Sequence, residues 1–261
     1  MRDEKLLALV RKKLSDAGIE DAAFEARQIV LEADCERTAN DFVNRRIGGE
    51  PLQYILGCWE FYGLPFYVGQ GVLIPRPDTE TLVDAALAII GKSKARVLDL
   101  CSGSGAVAVA IAENSSAEVT ALEKSDAAYA YLLKNIERNG ASVRAVKGDV
   151  FDGFNGEYDL IVSNPPYIKS DVIPTLSREV KREPTMALDG GEDGLIFYRR
   201  IAEYWTGLLA KGGTVAVEIG FDQQEQVSRI FAEAGLDDIR CVKDLSSNPR
   251  VIIGTLRSRT T

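Results

Sequence analysis

The chain has 261 residues, with 31 Lys and Arg against 39 Asp and Glu, a formal net charge of -8 and no histidine. The missing histidine excludes histidine-based acid–base catalysis, histidine-paired nucleophiles and histidine metal sites. A protein that depends on duplex phosphates usually has a basic face, which this acidic chain lacks. Its short basic clusters, at residues 11–13, 45–46 and 199–200, are typical of solvated helix faces.

The cysteines are too far apart in sequence to form a C-x-x-C pair, so we expect neither a zinc site nor a disulfide framework. They are Cys35, Cys58, Cys101 and Cys241. The first five residues mix acidic and basic side chains, unlike a signal or transit peptide. No apolar run is long enough to span a membrane. We therefore expect a cytoplasmic protein that has no membrane association.

Residues 1–56 are predicted to form a small helical domain. The first helix follows from apolar residues spaced by four, which are Leu6, Val10 and Leu14. Asp21 is predicted to cap a second helix, and Thr38 a third that the glycine pair at 48–49 ends. The core of such a bundle would be thin, so it should lean on another element or on a partner.

Residues 57–75 have the character of a linker. Two aromatic-rich segments, 58–62 and 65–68, lie on either side of a glycine turn and predict a β-hairpin. The segment 73–77 contains two prolines and is predicted to form a rigid end to the hairpin.

From residue 76 onward, predicted strands and helices alternate. The strands are 96–100, 118–122, 143–146, 158–163, 214–218, 240–243 and 250–256, and the helices 106–113, 126–139, 195–209 and 224–234. This alternation predicts a mostly parallel sheet with helices on both faces. The last two strands are too close in sequence for a helical crossover, so they should pair antiparallel.

The tetrapeptide Asn164-Pro165-Pro166-Tyr167 follows a buried strand, at the sheet edge where open α/β folds bind ligands. It suits the recognition of a planar –NH2 group. Asn164 Oδ1 and the Pro165 carbonyl would each accept one amino hydrogen, while Tyr167 would stack on the flat π system. The competing interpretation is a proline turn that closes the strand, with Tyr167 filling the sheet edge.

The loop between the first strand and helix of the alternating region is a candidate cofactor site. Gly103 and Gly105 permit a tight turn, and Glu123 ends the next strand, where it can accept both hydroxyls of a ribose. These features also fit a dinucleotide fold. Asp99 argues against that fold, because its carboxylate would repel a pyrophosphate. The same carboxylate would attract the α-ammonium of S-adenosylmethionine.

Asp149, after the third strand, is predicted to contact the adenine amino group, with Val150 and Phe151 flanking the ring. A turn-capping role for Asp149 fits equally well. Cys101 is expected to be a packing residue rather than a nucleophile. The other predicted cofactor contacts are Cys101, Ser102, Ser104 and Asn164.

Together these pieces resemble the class I S-adenosylmethionine-dependent methyltransferases that use Asn-Pro-Pro-Tyr to methylate planar amino nitrogens. Within that group, nearly the whole chain resembles the release factor glutamine methyltransferases, the HemK/PrmC family. The supporting segments are 51–57, 73–80, 99–105, 164–167, 183–184, 187–188 and 190–195. Two positions depart from the family pattern: Cys101 stands where Gly is usual, and Glu123 where Asp is common.

The resemblance implies an α/β fold with a Rossmann-like seven-stranded sheet whose last strand is antiparallel. It implies a helical docking domain over 1–56, a hairpin linker over 57–75 and a catalytic domain over 76–261. The cofactor would be S-adenosylmethionine, with S-adenosylhomocysteine as product and no metal. The substrate would be the glutamine of the Gly-Gly-Gln loop in a peptide chain release factor, methylated at its side-chain amide nitrogen by a monomer without direct nucleic-acid contact.

Three alternatives stay open at this point. The tetrapeptide is shared with DNA adenine-N6 and ribosomal RNA exocyclic-amino methyltransferases, so it does not choose the substrate. A non-catalytic binding module is disfavoured by the intact tetrapeptide beside Asp99 and Glu123. An NAD-dependent oxidoreductase is disfavoured by Asp99.

Overall fold

The computed structural model of the chain describes residues 2–256. Met1 and residues 257–261, with which the predicted domains begin and end, lie outside the described residues. No helix within 2–256 combines the length and apolar character needed to cross a membrane.

The helical front of the chain consists of α1 (Arg2–Asp16), α2 (Ala22–Glu32), α3 (Glu36–Ile47) and the short α4 (Leu52–Leu56). Its small core is built from Val10, Leu14, Ala26, Ile29, Ala39 and Val43. The sequence did not predict α4. Thr38 was wrongly predicted to cap the third helix, which begins two residues earlier after Cys35. The Thr38 hydroxyl instead donates to the Asp34 carboxylate, one turn back.

The predicted hairpin is confirmed as β1 (Cys58–Phe61) paired antiparallel with β2 (Leu64–Tyr67). Both turn residues have positive φ, 53° at Tyr62 and 70° at Gly63. Such a pair suits a two-residue hairpin turn, because its twist matches that of the strands.

The remaining strands within the described residues form one seven-stranded sheet. They are β3 (Arg96–Leu100), β4 (Glu118–Glu123), β5 (Val143–Lys147), β6 (Tyr158–Ser163), β7 (Leu209–Glu218), β8 (Leu236–Lys243) and β9 (Pro249–Leu256). Their spatial order is β5-β4-β3-β6-β7-β9-β8. Strands β3 to β7 pair in parallel, and β9 runs antiparallel to both β7 and β8. The predicted sheet with an antiparallel last strand is therefore confirmed.

Helices cover both faces of this sheet, as predicted. They are α5 (Glu80–Ile90), α6 (Ala106–Glu113), α7 (Asp126–Asn139), α8 (Ile196–Glu203) and α9 (Gln224–Glu233). Alternate residues of β6 show the two layers: Leu160 and Val162 pack with α5 and α6, whereas Ile161 packs with α8 and α9. The sequence did not predict α5. The predicted helix over 195–209 is shorter and is followed by a separate 3-10 turn, Trp205–Leu208.

The buried Asn135 of α7 links the hairpin to the seven-stranded sheet. Its Oδ1 accepts from the Tyr67 amide at 2.7 Å, and its Nδ2 donates to the carbonyls of Tyr67 at 3.0 Å and Ser104 at 2.9 Å. Because Ser104 lies in the loop after β3, this one side chain links the hairpin to the candidate cofactor loop.

Candidate functional site

A cavity of about 440 Å³ opens at the carboxyl ends of β3, β4 and β6. The strand order reverses between β3 and β6, and open α/β sheets bind ligands in the crevice at such a point. The volume lies within the range of about 300–1,000 Å³ typical of small-molecule sites. The predicted site residues that line it are Asp99, Cys101, Ser102, Gly103, Ser104, Glu123, Asp149, Val150, Asn164 and Pro166.

Asp99 is buried and incompletely hydrogen-bonded, which favours the binding of a cation beside it. Its side chain is 1% exposed, and within residues 2–256 no group donates a hydrogen bond to its Oδ2 atom. Burial raises the pKa of Asp99 to about 7, and the nearby Glu123 charge adds to the rise. A buried carboxylate oxygen without a hydrogen-bond partner is costly, so an ammonium group placed beside it would be strongly favoured.

Glu123 holds the glycine loop from the end of β4. Its Oε2 accepts from the Gly103 amide at 2.8 Å, and its Oε1 accepts from the Ser125 amide at 2.6 Å. Each carboxylate oxygen keeps a second lone pair, which leaves acceptor capacity for hydroxyl groups.

Gly105 has a φ of +83°, and an added Cβ would lie 2.5 Å from Leu132 Cδ1. The loop therefore packs too tightly on α7 for a side chain at that position.

Cys101 lies in the left-handed region, with a φ of +58°. This backbone conformation explains why glycine suits the position, since a Cβ there is strained. Burial, together with the Glu123 and Asp99 charges, raises the pKa of the Cys101 thiol. The thiol stays protonated and packs against the core on the α8 and α9 face, which agrees with a packing role rather than a nucleophilic one.

Both carboxylate oxygens of Asp149 already have partners within the protein. Its Oδ1 accepts from the Phe151 amide at 3.0 Å, and its Oδ2 forms an ion pair with Lys124 Nζ at 2.7 Å. Burial acts to raise the pKa of Asp149, but the hydrogen bonds from Lys124 and Phe151, together with the charges of Lys124 and Arg200, keep the pKa below its usual value. The Phe151 contact is the turn-capping geometry, and the adenine contact of Asp149 stays a prediction.

The Asn164 amide has a defined orientation. Its Nδ2 donates to Thr79 Oγ1 at 3.1 Å, while its Oδ1 accepts no hydrogen bond from any described residue. Asn164 is one of the residues that line the cavity. Pro165 and Pro166 are buried beside it. Asn164 and Pro166 line the same cavity as Asp99, so the structure brings these two predicted acceptor residues together with the predicted cofactor residues. Pro165, Tyr167 and Gly105 are not among the residues that line it.

Tyr167 occupies a different environment from the rest of the tetrapeptide. Its ring packs with the core on the α8 and α9 face, and its hydroxyl donates to Glu218 Oε1 at 3.3 Å. Burial raises the pKa of the Tyr167 phenol, so the hydroxyl remains a donor. This position matches the packing role proposed for Tyr167, and its predicted stacking on a substrate amide stays a prediction.

Two polar residues beside the tetrapeptide were not predicted from the sequence, Thr79 and Glu218. Glu218 ends β7, the strand next to β6, and is 1% exposed; no hydrogen-bond donor within the described chain reaches its Oε2 atom. Burial raises the pKa of Glu218 to about 7, while hydrogen bonding from Thr79 and the charge of Arg250 act against the rise. The strand-end position was the one signal that would have identified Glu218.

The segment after the tetrapeptide forms its outer wall. The Ile168 amide donates to the Leu188 carbonyl at 2.9 Å, and the Gly190 amide donates to the Ile168 carbonyl at 2.8 Å. An added Cβ at Gly190 would lie 2.8 Å from both the Pro166 carbonyl oxygen and Tyr167 Cα. Only glycine allows this wall to lie so close to the tetrapeptide.

Glu183 ties the wall to the proline-rich segment before α5. Its Oε2 accepts from the Ile74 amide at 3.0 Å, and its Oε1 pairs with the Arg76 guanidinium. The segments 73–80, 183–184 and 187–195 are thus connected to one another and to the tetrapeptide. This explains in structural terms why the same segments supported the family resemblance in the sequence.

Comparisons with known proteins agree with this geometry. A family model described as a methyltransferase small domain matches residues 79–201. The release factor glutamine methyltransferase of Agrobacterium fabrum is 39% identical over 273 residues, covering 94% of this chain and 94% of its own. That of Clostridium botulinum is 45% identical over 210 residues, covering 77% of this chain and 74% of its own. The crystal structure of a methyltransferase from Pyrococcus furiosus matches with a TM-score of 0.60 and 21% identity, covering 85% of this chain and 98% of its own, and supports the fold.

Proposed function

Because this chain belongs to the release factor glutamine methyltransferase family, we propose that it transfers a methyl group from S-adenosylmethionine to a glutamine side chain. The acceptor is the amide nitrogen of the glutamine in the Gly-Gly-Gln loop of a peptide chain release factor. One observation carries the proposal: the cavity is lined by Asp99, whose Oδ2 atom has no hydrogen-bond partner among the described residues, and by Asn164, whose Oδ1 atom accepts no hydrogen bond from them.

The residues of the cavity fit S-adenosylmethionine, which supplies an electrophilic methyl carbon on a sulfonium sulfur. Asp99 would hold the α-ammonium, since it is buried and lacks a partner for Oδ2 among the described residues. Glu123 would hold the ribose hydroxyls with its remaining lone pairs. Asp149, Val150 and Phe151 also line this cavity; Asp149 would contact the adenine amino group, and Val150 and Phe151 would flank the ring.

Asn164 and Pro165 act on the acceptor. An amide nitrogen is a poor nucleophile because its lone pair is delocalised into the carbonyl. Hydrogen bonds from its two hydrogens to Asn164 Oδ1 and the Pro165 carbonyl favour a more pyramidal nitrogen. Alignment and support for the positive charge that develops on nitrogen are then the main contributions of the site.

The chain needs no tuned general base for this reaction. When the nitrogen–carbon bond forms, the methylated amide nitrogen carries positive charge and becomes very acidic. It loses its proton to water without help, so a chain with no histidine is suited to the reaction.

We further propose that residues 1–56 dock the release factor and that residues 76–261 catalyse methyl transfer. Residues 57–75 would link these two domains. Phe24 and Leu31 of α2 are exposed and spaced by seven, which places them on one helix face available to a partner. Arg46 of α3 pairs with Glu25 at 2.6 Å and with Glu179 at 2.7 Å. The Glu179 contact anchors the helical domain to the segment that forms the wall beside the tetrapeptide.

The protein would work as a cytoplasmic monomer. All the proposed site residues come from one chain, so no second copy is needed to complete the cavity. The four cysteines are unpaired, as suits a reducing compartment.

The test is purified protein with radiolabelled S-adenosylmethionine, offered release factor, DNA and ribosomal RNA in parallel. Label should enter release factor alone and disappear when the Gly-Gly-Gln glutamine is replaced. Asn164→Ala should lower kcat by about 100-fold while the Kd for S-adenosylmethionine changes little. Asn155→Ala, at an exposed position of the 76–261 domain outside the cavity, is the matched control. Normal turnover by Asn164→Ala, or label in nucleic acid, would contradict the proposal.

A further inference from the structure

Residues 149–152 form an irregular loop after β5, and the first three of them line the cavity. A surface loop of this kind keeps a fixed shape only where other parts of the fold hold it. Within the loop, the Asp152 amide donates to the Asp149 carbonyl at 3.0 Å, which closes one turn. The backbone carbonyls of residues 150, 151 and 152 are bonded from outside the loop, by α8.

Arg200 of α8 donates to all three of these carbonyls. Its Nε donates to the Val150 carbonyl at 3.1 Å, and its Nη2 donates to those of Phe151 at 2.8 Å and Asp152 at 3.1 Å. The guanidinium carbon also lies over the Tyr204 ring, 4.4 Å from the ring centroid. A planar guanidinium offers several donors in a rigid fork, which a lysine ammonium does not reproduce.

The contacts of Arg200 differ from the solvated helix face that the sequence predicted for residues 199–200. Arg199 fits that prediction, since it is exposed and forms an ion pair with Asp193. Arg200 is half-buried and forms no ion pair with a carboxylate among residues 2–256. The chain thus carries two adjacent arginines with different partners, one in solvent and one bound to the loop.

The helix that holds the loop also forms part of the cavity wall. Phe197 of α8 lines the cavity, and its ring centroid lies 5.3 Å from that of Phe151. Trp205, in the 3-10 turn after α8, donates from Nε1 to the Val150 carbonyl at 2.9 Å. The position of the loop backbone relative to the cavity therefore depends on α8, and so does the position of Asp149.

Stability alone gives little reason for the Arg200 contacts. Phe151 and Asp152 are exposed residues, where water can also serve as the hydrogen-bond partner of a carbonyl. A long charged side chain loses rotamer freedom when it is held in one place, which offsets part of the gain. What the contacts provide is a fixed backbone for a loop whose side chains line the cavity.

We propose that Arg200 is a positioning residue for the cofactor, which holds the 149–152 loop so that Asp149 meets the adenine amino group. This inference rests on the proposed function, in which the adenine lies against this loop. Arg200 is not among the residues that line the cavity, so it acts through the loop backbone and does not itself touch the cofactor. Its effect falls on cofactor binding and not on the acceptor.

The test compares Arg200→Met, which removes the donors, with Arg199→Met as the matched control. Calorimetric titration gives the Kd of each protein for S-adenosylhomocysteine and for S-inosylhomocysteine, in which a 6-oxo group replaces the 6-amino group. Wild type should bind the 6-oxo analogue about 30-fold more weakly, because its carbonyl cannot donate to Asp149. Arg200→Met should bind S-adenosylhomocysteine about 10-fold more weakly than wild type and lose most of the preference for the amino form. Arg199→Met should match wild type for both ligands.

Arg200→Lys is the second variant, and it serves if Arg200→Met does not fold. It keeps the charge but not the fork, so it should also lose part of the preference for the amino form. In methylation of release factor, both variants should raise the KM for S-adenosylmethionine and leave kcat close to wild type, because the acceptor residues are unchanged.

Three results would overturn the inference: equal weakening of both ligands, which indicates a merely structural role, wild-type Kd values in a folded Arg200 variant, or a wild type without preference for the amino form. A wild-type enzyme that binds S-adenosylhomocysteine but leaves release factor unlabelled would instead refute the proposed function.

Discussion

Replacing Asp99 by asparagine should stabilise the unliganded protein and abolish its affinity for S-adenosylmethionine. Burial raises the pKa of Asp99 from an ordinary value of 3.8 to about 7. The folded protein therefore binds this proton more tightly than the unfolded chain does, and stability falls as the pH rises from 3.8 to about 7. Asparagine cannot ionise, so the variant avoids that loss.

The size of the effect follows from the same pKa values. The difference between 3.8 and about 7 corresponds to about 4 kcal/mol, so Asp99→Asn should be more stable than wild type by up to about 4 kcal/mol at pH 8. At pH 5 the gain should shrink to about 2 kcal/mol, because Asp99 in the folded wild type is then protonated. The pKa of Glu218 is also raised, but Glu218 is present in both proteins and its effect cancels.

Urea unfolding of both proteins at pH 8 and pH 5 measures the gain directly. A thermal-shift titration with S-adenosylhomocysteine measures binding, which should raise the Tm of wild type and not that of Asp99→Asn. Asp171→Asn, at an exposed position, is the matched control and should change neither quantity. The reasoning fails if Asp99→Asn is less stable than wild type at pH 8, or if the difference between them is the same at both pH values.

Three further predictions address the loop, the wall and the docking domain. Gly190→Ala should lower kcat by about 10-fold by displacing the tetrapeptide, whereas Gly207→Ala, with open space around it, should not. Cys101→Gly should be more stable than Cys101→Ala by about 1 kcal/mol in urea unfolding, because the φ there is positive; equal stabilities would contradict this. Leu31→Glu should raise the KM for release factor and leave kcat unchanged, while Leu133→Glu, an exposed leucine of α7, should alter neither; an unchanged KM would remove the docking role.

The strands of the sheet were predictable because buried parallel strands consist of short apolar runs. Helix α5 was missed for a related reason. Apart from Asp84, residues 82–90 are all apolar, so apolar side chains lie on all sides of the helix and blur its helical period. The Thr38 error has a local cause, since the Thr38 hydroxyl bonds back to Asp34 and leaves the helix to begin after Cys35.

Site residues could be predicted from the sequence where they lie at the end of a recognisable strand. Asp99, Glu123 and Asn164 each lie at a strand end, and the structure brings them to one cavity. The positions of Thr79 and Glu218 beside the tetrapeptide depend on which strands are neighbours in the sheet. They also depend on how the segment before α5 packs against those strands. That arrangement is set by the order of β6 and β7 in the sheet, which no local sequence pattern specifies.

The central claim is that the Asn164 cavity methylates a glutamine amide in a release factor. Mass spectrometry of release factor incubated with the protein and S-adenosylmethionine tests it most directly. The account predicts one added methyl group on the side-chain nitrogen of the Gly-Gly-Gln glutamine, and none with Asn164→Ala. A methyl group on any other residue, or unmodified release factor beside methylated nucleic acid, would contradict it.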